Sequence, residues 1–525
     1  MDLSLSSALR YRRQQAGRVA DQALQKAAQE VIKKNSKVFV HFDTKLIEQD
    51  VEGVVQIVER LAILVSSPIL EKDQLLCAFP LESGTGEAMA EAIYGTLVSV
   101  GLEMHVMGLV ADTTATNFGP YNGALVILQQ FLGYPVMIIP CLHHVEELPQ
   151  KHVMRLISGR KTTGPGETIF LRFRENYNEI RPHLTPDLLI KTFNWTDNPI
   201  GSVLGDQATQ VLDWARRALA NNEFDRGDYR YSLQLAVRFF GVLIPGFKFG
   251  RPKKVSPARF LQVYENYLEI FMMLNIPFVY ELFTGAERDE ILRMANFSAL
   301  YYIQFMVDAK YPAKAPSQTI EAISALRKLK TVDPDIAECA LKVRYRHLEP
   351  LSQENILFSL ADEEVEDEEK EAMGRKILRV QNAWSPGKMV LSPLAIPDLS
   401  SERFWREGMV PTLANFVGPR SFLLLDHLHW TKADLEFFSL PYTEWKENEK
   451  YQELLAVILQ LKVVNDNAER MIKFIKDRIM SVRSENALQD ILISVDEMRK
   501  RCGSYKANNM NNTKLCKAVR GMLEL

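Results

Sequence analysis

HVMGLVADTTATNFG, residues 105–119, sets the reading of this chain. Val106 to Ala111 is a short apolar run, closed by the carboxylate of Asp112 and then by the polar residues Thr113, Thr114, Thr116 and Asn117. Such a run closed by turn formers predicts a buried strand. Immediately upstream the period changes. Met89, Ala92, Ile93, Thr96, Leu97 and Val100 recur on one face of a helix, with Thr85 at the N-cap position and Glu87 beside the positive end of the dipole. Farther upstream, KVFVHFD (37–43) predicts another strand ending in a carboxylate, Asp43, and the runs LAILVSS (61–67) and LLCAFPL (75–81) predict two more strands. Downstream, GALVILQQFL (123–132) reads as a helix and YPVMIIPC (134–141) as a strand. Three strands followed by helix, strand, helix, strand fit a mixed sheet covered by helices.

Beyond residue 160 or so the strand signal fades. Amphipathic stretches such as QATQVLDWARRALANN (207–222) and PARFLQVYENYLEIFMML (257–274) predict a long helical region, and KYQELLAVILQLKVVNDNAERMIKFIKDRIMSV (450–482) adds further helices. The first 35 residues, rich in Gln, Ala and Arg, read as an exposed helical arm.

The 525 residues are 47% apolar and 25% charged, ordinary for a protein that buries a large core. The N-terminus turns basic without an apolar segment, so it does not read as a secretory signal. Ala124 to Pro140 is interrupted by Gln129, Gln130, Gly133 and Pro135 and makes no clean membrane span. Five scattered cysteines argue against a disulfide framework and for a reducing compartment. With a net charge of −3, nucleic-acid affinity would have to come from local basic patches. Arg10, Arg12, Arg13 and Arg18 form one, FKFGRPKK (Lys248, Arg251, Lys253, Lys254) a second, and KVRYR (Lys342, Arg344, Arg346) a third. The acidic run Asp362–Glu371 is read as a solvated loop or helix face.

Asp43 and Asp112, each at the end of an expected strand, are the first candidates for chemistry, because open α/β sheets build sites at the carboxyl ends of their strands. Two carboxylates brought together repel unless a divalent cation neutralises them, and hard oxygen donors suit Mg2+ or Mn2+. A lone Asp after a strand also serves as a turn former or helix cap. A third carboxylate completes a two-metal site. Asp466 and Glu469 share a helix face with Lys473, an arrangement that an exposed Glu–Lys pair produces equally well. CLHHVEEL gathers Cys141, His143 and His144, but no partner motif supplies the four ligands of a zinc site, so packing or hydrogen bonding is expected there. LESGTGEA lacks the Lys of a phosphate-binding loop, so Gly84 and Gly86 are read as shaping a helix start.

The phrases FDTK, SGTGEAMAEAI, ADTTATNFG, CLHHVEEL and VVNDNAERMIKF, in that order, resemble those of hAT-like DDE transposases of the RNase H-like superfamily. RNase H-like folds share the strand and helix order described above, although other α/β folds share parts of it. The resemblance implies an α/β chain whose RNase H-like mixed-sheet core is interrupted by a large all-α insertion. A basic arm (1–35) would precede the first part of the core (36–165), a helical insertion (166–445) would follow, and C-terminal helices (446–525) would complete the core. It implies a metal-binding catalytic triad of Asp43, Asp112 and Glu469 acting with Mg2+ or Mn2+, and places Cys141 and His144 in a C-x-x-H motif beside His143. DNA, as transposon ends or related duplex, becomes the expected partner, with Arg251, Lys253, Lys254, Arg344, Arg346 and Lys473 as contact candidates. A homo-oligomer, no membrane association and a nuclear location follow from the same likeness. The chain departs from the family in having no zinc-finger-like module before the core, and FGRPKKVSPARF lacks the His and the Pro-Gly-Ala turn of that segment. A truncated or host-adopted copy is therefore expected. The alternatives are a catalytically silent DNA- or protein-binding factor and an RNase H-like nuclease.

Overall fold

The computed structural model describes residues 5–51, 54–159, 168–185, 199–222, 227–252, 260–405, 410–465, 467–468 and 485–501. Branched and aromatic runs form five strands: β1 (Val38–Val51), β2 (Val54–Ser66), β3 (Gln74–Pro80), β4 (Val106–Ala111) and β5 (Met137–Pro140). They lie in the order β3-β2-β1-β4-β5. β1 and β2, and β2 and β3, pair antiparallel, whereas β1–β4 and β4–β5 are parallel. Parallel neighbours need a crossover. Here α2 (Gly86–Val100) joins β3 to β4, and α3 (Ala124–Leu132) lies between β4 and β5. The expected element order is therefore present, in a mixed sheet with helices on both faces.

Strand alternation divides the sheet into two buried faces. Val38, Val40 and Phe42 of β1, Leu61, Ile63 and Val65 of β2, and Leu109 and Ala111 of β4 pack with Met89, Ile93 and Leu97 of α2 and Leu125 and Leu128 of α3. The other face is shared. Over β2 and β3, Ala62, Leu64, Leu75 and Ala78 pack with α1 (Leu5–Lys33) and with the C-terminal helix Glu485–Arg501, called α6 below. Over β4 and β5, Met107, Val110, Met137 and Ile139 join the core of the helical region.

That region begins with α4 (Leu142–Ser158), continues through helices including Pro199–Asn221, Gly227–Phe239, Ala315–Leu329 and Pro334–Arg344, and ends with α5 (Glu449–Gln460). The chain then returns to the sheet, burying Val463 at one end of the segment and Ala468 at the other.

Three expectations need correction. The N-terminal helix is not an exposed arm from Ala16 onward: Ala16, Ala20, Ala23 and Ala27 are buried along one stripe. Alanine gives a faint hydrophobic signal, yet it lets two helices approach closely, and a Cβ on Gly17 would lie 3.1 Å from Asp490 Oδ2. β1 does not end at Asp43; it runs on to Val51, pairing only with β2 as a two-stranded ribbon that exposes Leu46, Val55 and Ile57. The acidic run is only partly solvated. Asp362 is buried and accepts from Ser317 Oγ at 2.7 Å, and Lys370 is buried against Tyr442.

Candidate functional site

The central parallel pair brings the two aspartates into register. His41 of β1 lies opposite Val110 of β4, the last pair between these strands. Two residues farther along each strand are Asp43 and Asp112, on the face that carries Val110 and is shared between the helical region and the C-terminal helix. Both are half-buried.

Asp112 is held by its own turn. Its Oδ1 accepts from the Thr114 backbone N–H (3.2 Å), the Thr114 hydroxyl (2.7 Å) and Asn117 Nδ2 (2.6 Å). Asn117 is buried, which fixes the carboxylate against the protein and leaves Oδ2 outside this net. The turn is supported from below by the start of α2. A Cβ on Gly86 would lie 2.3 Å from the Asn122 carbonyl oxygen and 2.9 Å from that of Thr116, so a side chain there would push the turn away. Thr85 caps the helix through the Ala88 N–H (3.3 Å), as the sequence predicts.

The residues after β5 close one side. The Cys141 N–H donates to the Ala111 carbonyl (2.6 Å), so β5 stays tied to β4 up to the residue before Asp112. His144 is half-buried. Burial pushes its imidazole below the usual range, against the pull of Asp112 and with the positive character of His347 and Lys151 acting in the same direction as burial. His143 turns to the helical region, where the Tyr229 hydroxyl lies 3.3 Å from its Nε2. Cys141 and His143 thus engage in backbone and side-chain hydrogen bonds here.

The segment that opens the VVNDNAERMIKF phrase closes the opposite side. The Val463 carbonyl accepts from the Leu142 N–H at 3.0 Å. Asn465 then inserts between β1 and β4, its Nδ2 donating to the carbonyls of Phe42 (2.8 Å) and Val110 (3.3 Å). Its backbone N–H points at Cys141 Sγ (3.4 Å), and His41 Nδ1 lies 3.4 Å from its Oδ1. On the far side His41 Nε2 meets the Ser66 hydroxyl at 2.8 Å. Asp73 fixes the same segment again, pairing with Lys462 and accepting from Asn467 Nδ2 at 2.6 Å. Burial disfavours the Asp73 carboxylate, but Lys462 and His41 outweigh it and hold its pKa below the usual range. His41 and Asp73 carried no motif signal, and Asn465 lies inside the VVNDNAERMIKF phrase, which was read for its carboxylates.

Glu469, Lys473, Lys253 and Lys254 lie outside the described residues. Among the described residues no group of three His, Cys, Asp or Glu side chains is placed to hold a metal ion. Of the basic candidates, Arg251 and Arg346 are exposed. Arg344 is not: it is buried in a two-pronged ion pair with Glu146, with NH1 2.8 Å from Oε1, so its charge is directed inward rather than towards a phosphate. The KVRYR cluster reads as basic in one dimension, but the helix Pro334–Arg344 rotates this member into the interface with α4.

Among the described residues no helix is long and apolar enough to cross a membrane. Cys77 and Cys339 are free thiols. No protein-family model matches the chain, and no curated protein sequence matches it.

Proposed function

We propose that the chain carries a polynucleotidyl-transferase site of the RNase H-like, DDE kind, resembling that of hAT-like transposases. The observation that carries the reading is the register of the central strands. Asp43 and Asp112 stand two residues past the His41–Val110 pair of a parallel β1–β4 ladder, in a sheet ordered β3-β2-β1-β4-β5. RNase H-like cores use this strand order, and the carboxyl ends of parallel strands are where such sheets place their chemistry. The return of the chain at Asn465 to these same two strands, four positions before Glu469 in sequence, gives further support.

Asp43 and Asp112, joined by Glu469 through the resemblance, would hold Mg2+ or Mn2+. The donor set suits a hard cation: three hydrogen bonds fix Oδ1 of Asp112 and leave Oδ2 outside the net. When bound, such a cation stabilises charge developing on a phosphoryl group and acidifies a bound water. The protein's own part is orientation. Thr114 and Asn117 lock the Asp112 rotamer, and the half-buried His144 sits on the flank next to the helical region. The reaction class is DNA strand cleavage by water followed by joining through a DNA 3′-hydroxyl. DNA is the proposed partner, with Arg251 and Arg346 as exposed phosphate contacts beside Lys253, Lys254 and Lys473. A homo-oligomer acting in the nucleus belongs to the same proposal.

The test is cleavage and strand transfer on DNA oligonucleotides with Mg2+ or Mn2+, comparing wild type with Asp112→Ala. Metal-dependent nicking that disappears in the variant supports the reading. Cleavage confined to RNA–DNA hybrids replaces it with an RNase H-like nuclease. Equal silence from both proteins, with DNA still bound, replaces it with a catalytically silent binding factor derived from the same fold.

A further inference from the structure

Both side-chain groups of Asn465 and its backbone N–H make hydrogen bonds. Its Oδ1 faces His41 Nδ1, so the imidazole donates from Nδ1 and accepts the Ser66 hydroxyl at Nε2. That arrangement leaves the Asn465 amide nitrogen as donor to both strand carbonyls, Phe42 at 2.8 Å and Val110 at 3.3 Å. Each acceptor lies beside a proposed metal ligand: Phe42 immediately precedes Asp43, and Val110 lies two residues before Asp112. The Asn465 N–H reaches Cys141, whose own N–H holds the Ala111 carbonyl. One residue, only 7% exposed, thus ties β1 to β4 through its side chain and reaches the exit of β5 through its backbone N–H. Asp73, through Lys462 and Asn467, prevents the segment from sliding along the strands.

β1 and β4 make no further ladder bonds beyond the His41–Val110 pair. Past that pair, the two strands are held at a fixed spacing by this amide bridge instead. Glu469 is four residues farther on, so whatever fixes Asn465 also limits where that carboxylate can be presented: four residues of chain reach at most about 14 Å.

We propose that Asn465 is a positioning residue, an amide clamp that sets the separation of the Asp43 and Asp112 strands and the origin of the Glu469 segment without touching the substrate. The inference rests on the nucleotidyl-transferase reading. Misplacing catalytic groups by about 1 Å costs on the order of 10²-fold in rate, and that is the scale of effect assigned to the clamp.

Full-length wild type, Asn465→Ala and Asn465→Asp are compared. Asn465→Asp keeps the volume and the oxygen facing His41 but removes the side-chain N–H donors to Phe42 and Val110, so a space-filling role predicts wild-type behaviour and a clamp predicts the behaviour of Asn465→Ala. Two readouts are taken. The first is amide hydrogen exchange across residues 108–112 and 142–146, without DNA or metal. The second is single-turnover cleavage of a duplex oligonucleotide over a Mg2+ series, with DNA affinity measured alongside. The expected result is at least tenfold faster exchange and about 10²-fold slower cleavage in both variants, with DNA affinity within twofold of wild type. Wild-type exchange in Asn465→Asp overturns the clamp, as does faster exchange with unchanged cleavage, which leaves Asn465 a purely structural residue. A wild-type protein that cuts nothing, while exchange still rises in the variants, overturns the catalytic sense of the inference. That outcome places the failure in the nucleotidyl-transferase reading and not in the clamp.

Discussion

Replacing Glu146 by Ala tests whether Arg344 is structural. The Arg344 side chain is 4% exposed and that of Glu146 13%, and both guanidinium nitrogens face the carboxylate. In the variant, the guanidinium keeps only a weak approach to the Phe305 ring, 6.0 Å from its centroid, and its Nε already lacks a partner among the described residues. Removing one partner of a buried pair leaves an uncompensated charge and costs about 3–5 kcal/mol. At about 1.4 kcal/mol per tenfold, that is a local opening constant raised by two to nearly four orders of magnitude, roughly 10²–10⁴. A chain of this size is not expected to melt in one step, so the assay is native-state hydrogen exchange read at the amides of α4 and of helix Pro334–Arg344. The double variant Glu146→Leu, Arg344→Met places apolar volume on both sides and should return exchange to near wild type, because apolar replacement of a buried pair is often neutral. A loss below about 1 kcal/mol, or two single losses that simply add in the double variant, would refute the reasoning. The salt dependence of DNA binding supplies a second check. It should not change in Arg344→Met, whereas loss of a true phosphate contact, as expected for Arg251→Ala, lowers the slope by about one.

Two further outcomes follow from the geometry. Gly86→Ala should displace the 113–123 turn, because its new methyl meets backbone at 2.3 Å from Asn122 O; an overpacking cost of about 1–3 kcal/mol and weakened metal-dependent nicking are expected, and wild-type activity with wild-type stability would show the turn to be pliable. His427 is held at about 4, first by burial and then by Lys37. Its folded pKa lies below the unfolded value of about 6.5, so the unfolded chain binds the proton more tightly and stability is lost as pH falls between these values. Denaturation of wild type should show about 2 kcal/mol less stability at pH 5 than at pH 7.5 from this group, a slope absent in His427→Gln; equal slopes in the two proteins would remove His427 as its origin.

Much of the sheet was legible because its signals are local. The apolar runs ending at Ala111 and Pro140, the helix face from Met89 to Leu97 and the Thr85 cap each lie within a dozen residues. The two aspartates were legible for the same reason, since both follow such runs. What escaped was set by tertiary packing. The ribbon half of β1 is polar enough that nothing in LIEQDV separates a strand from a loop; it becomes a strand by pairing with β2. The alanines of α1 signal burial only when α6 lies against them. Arg344 looks like any other arginine in KVRYR until the helix phase is set against Glu146. Asn465 escaped because its four partners come from residues 41, 42, 110 and 141, more than 300 positions away.

That distance has a consequence for how the protein is made. Residues 62, 64, 75 and 78 need α6 to cover them, and the strand ends at Phe42 and Val110 need Asn465. During synthesis the sheet emerges hundreds of residues before either partner, at about 5–20 residues per second. For tens of seconds the nascent chain therefore carries a sheet face over β2 and β3 that only α1 covers, and exposed apolar surface of this kind recruits chaperones. Products that stop short of α6 leave that part of the face without its second helix. A chain translated through α6 gains both the cover and the clamp.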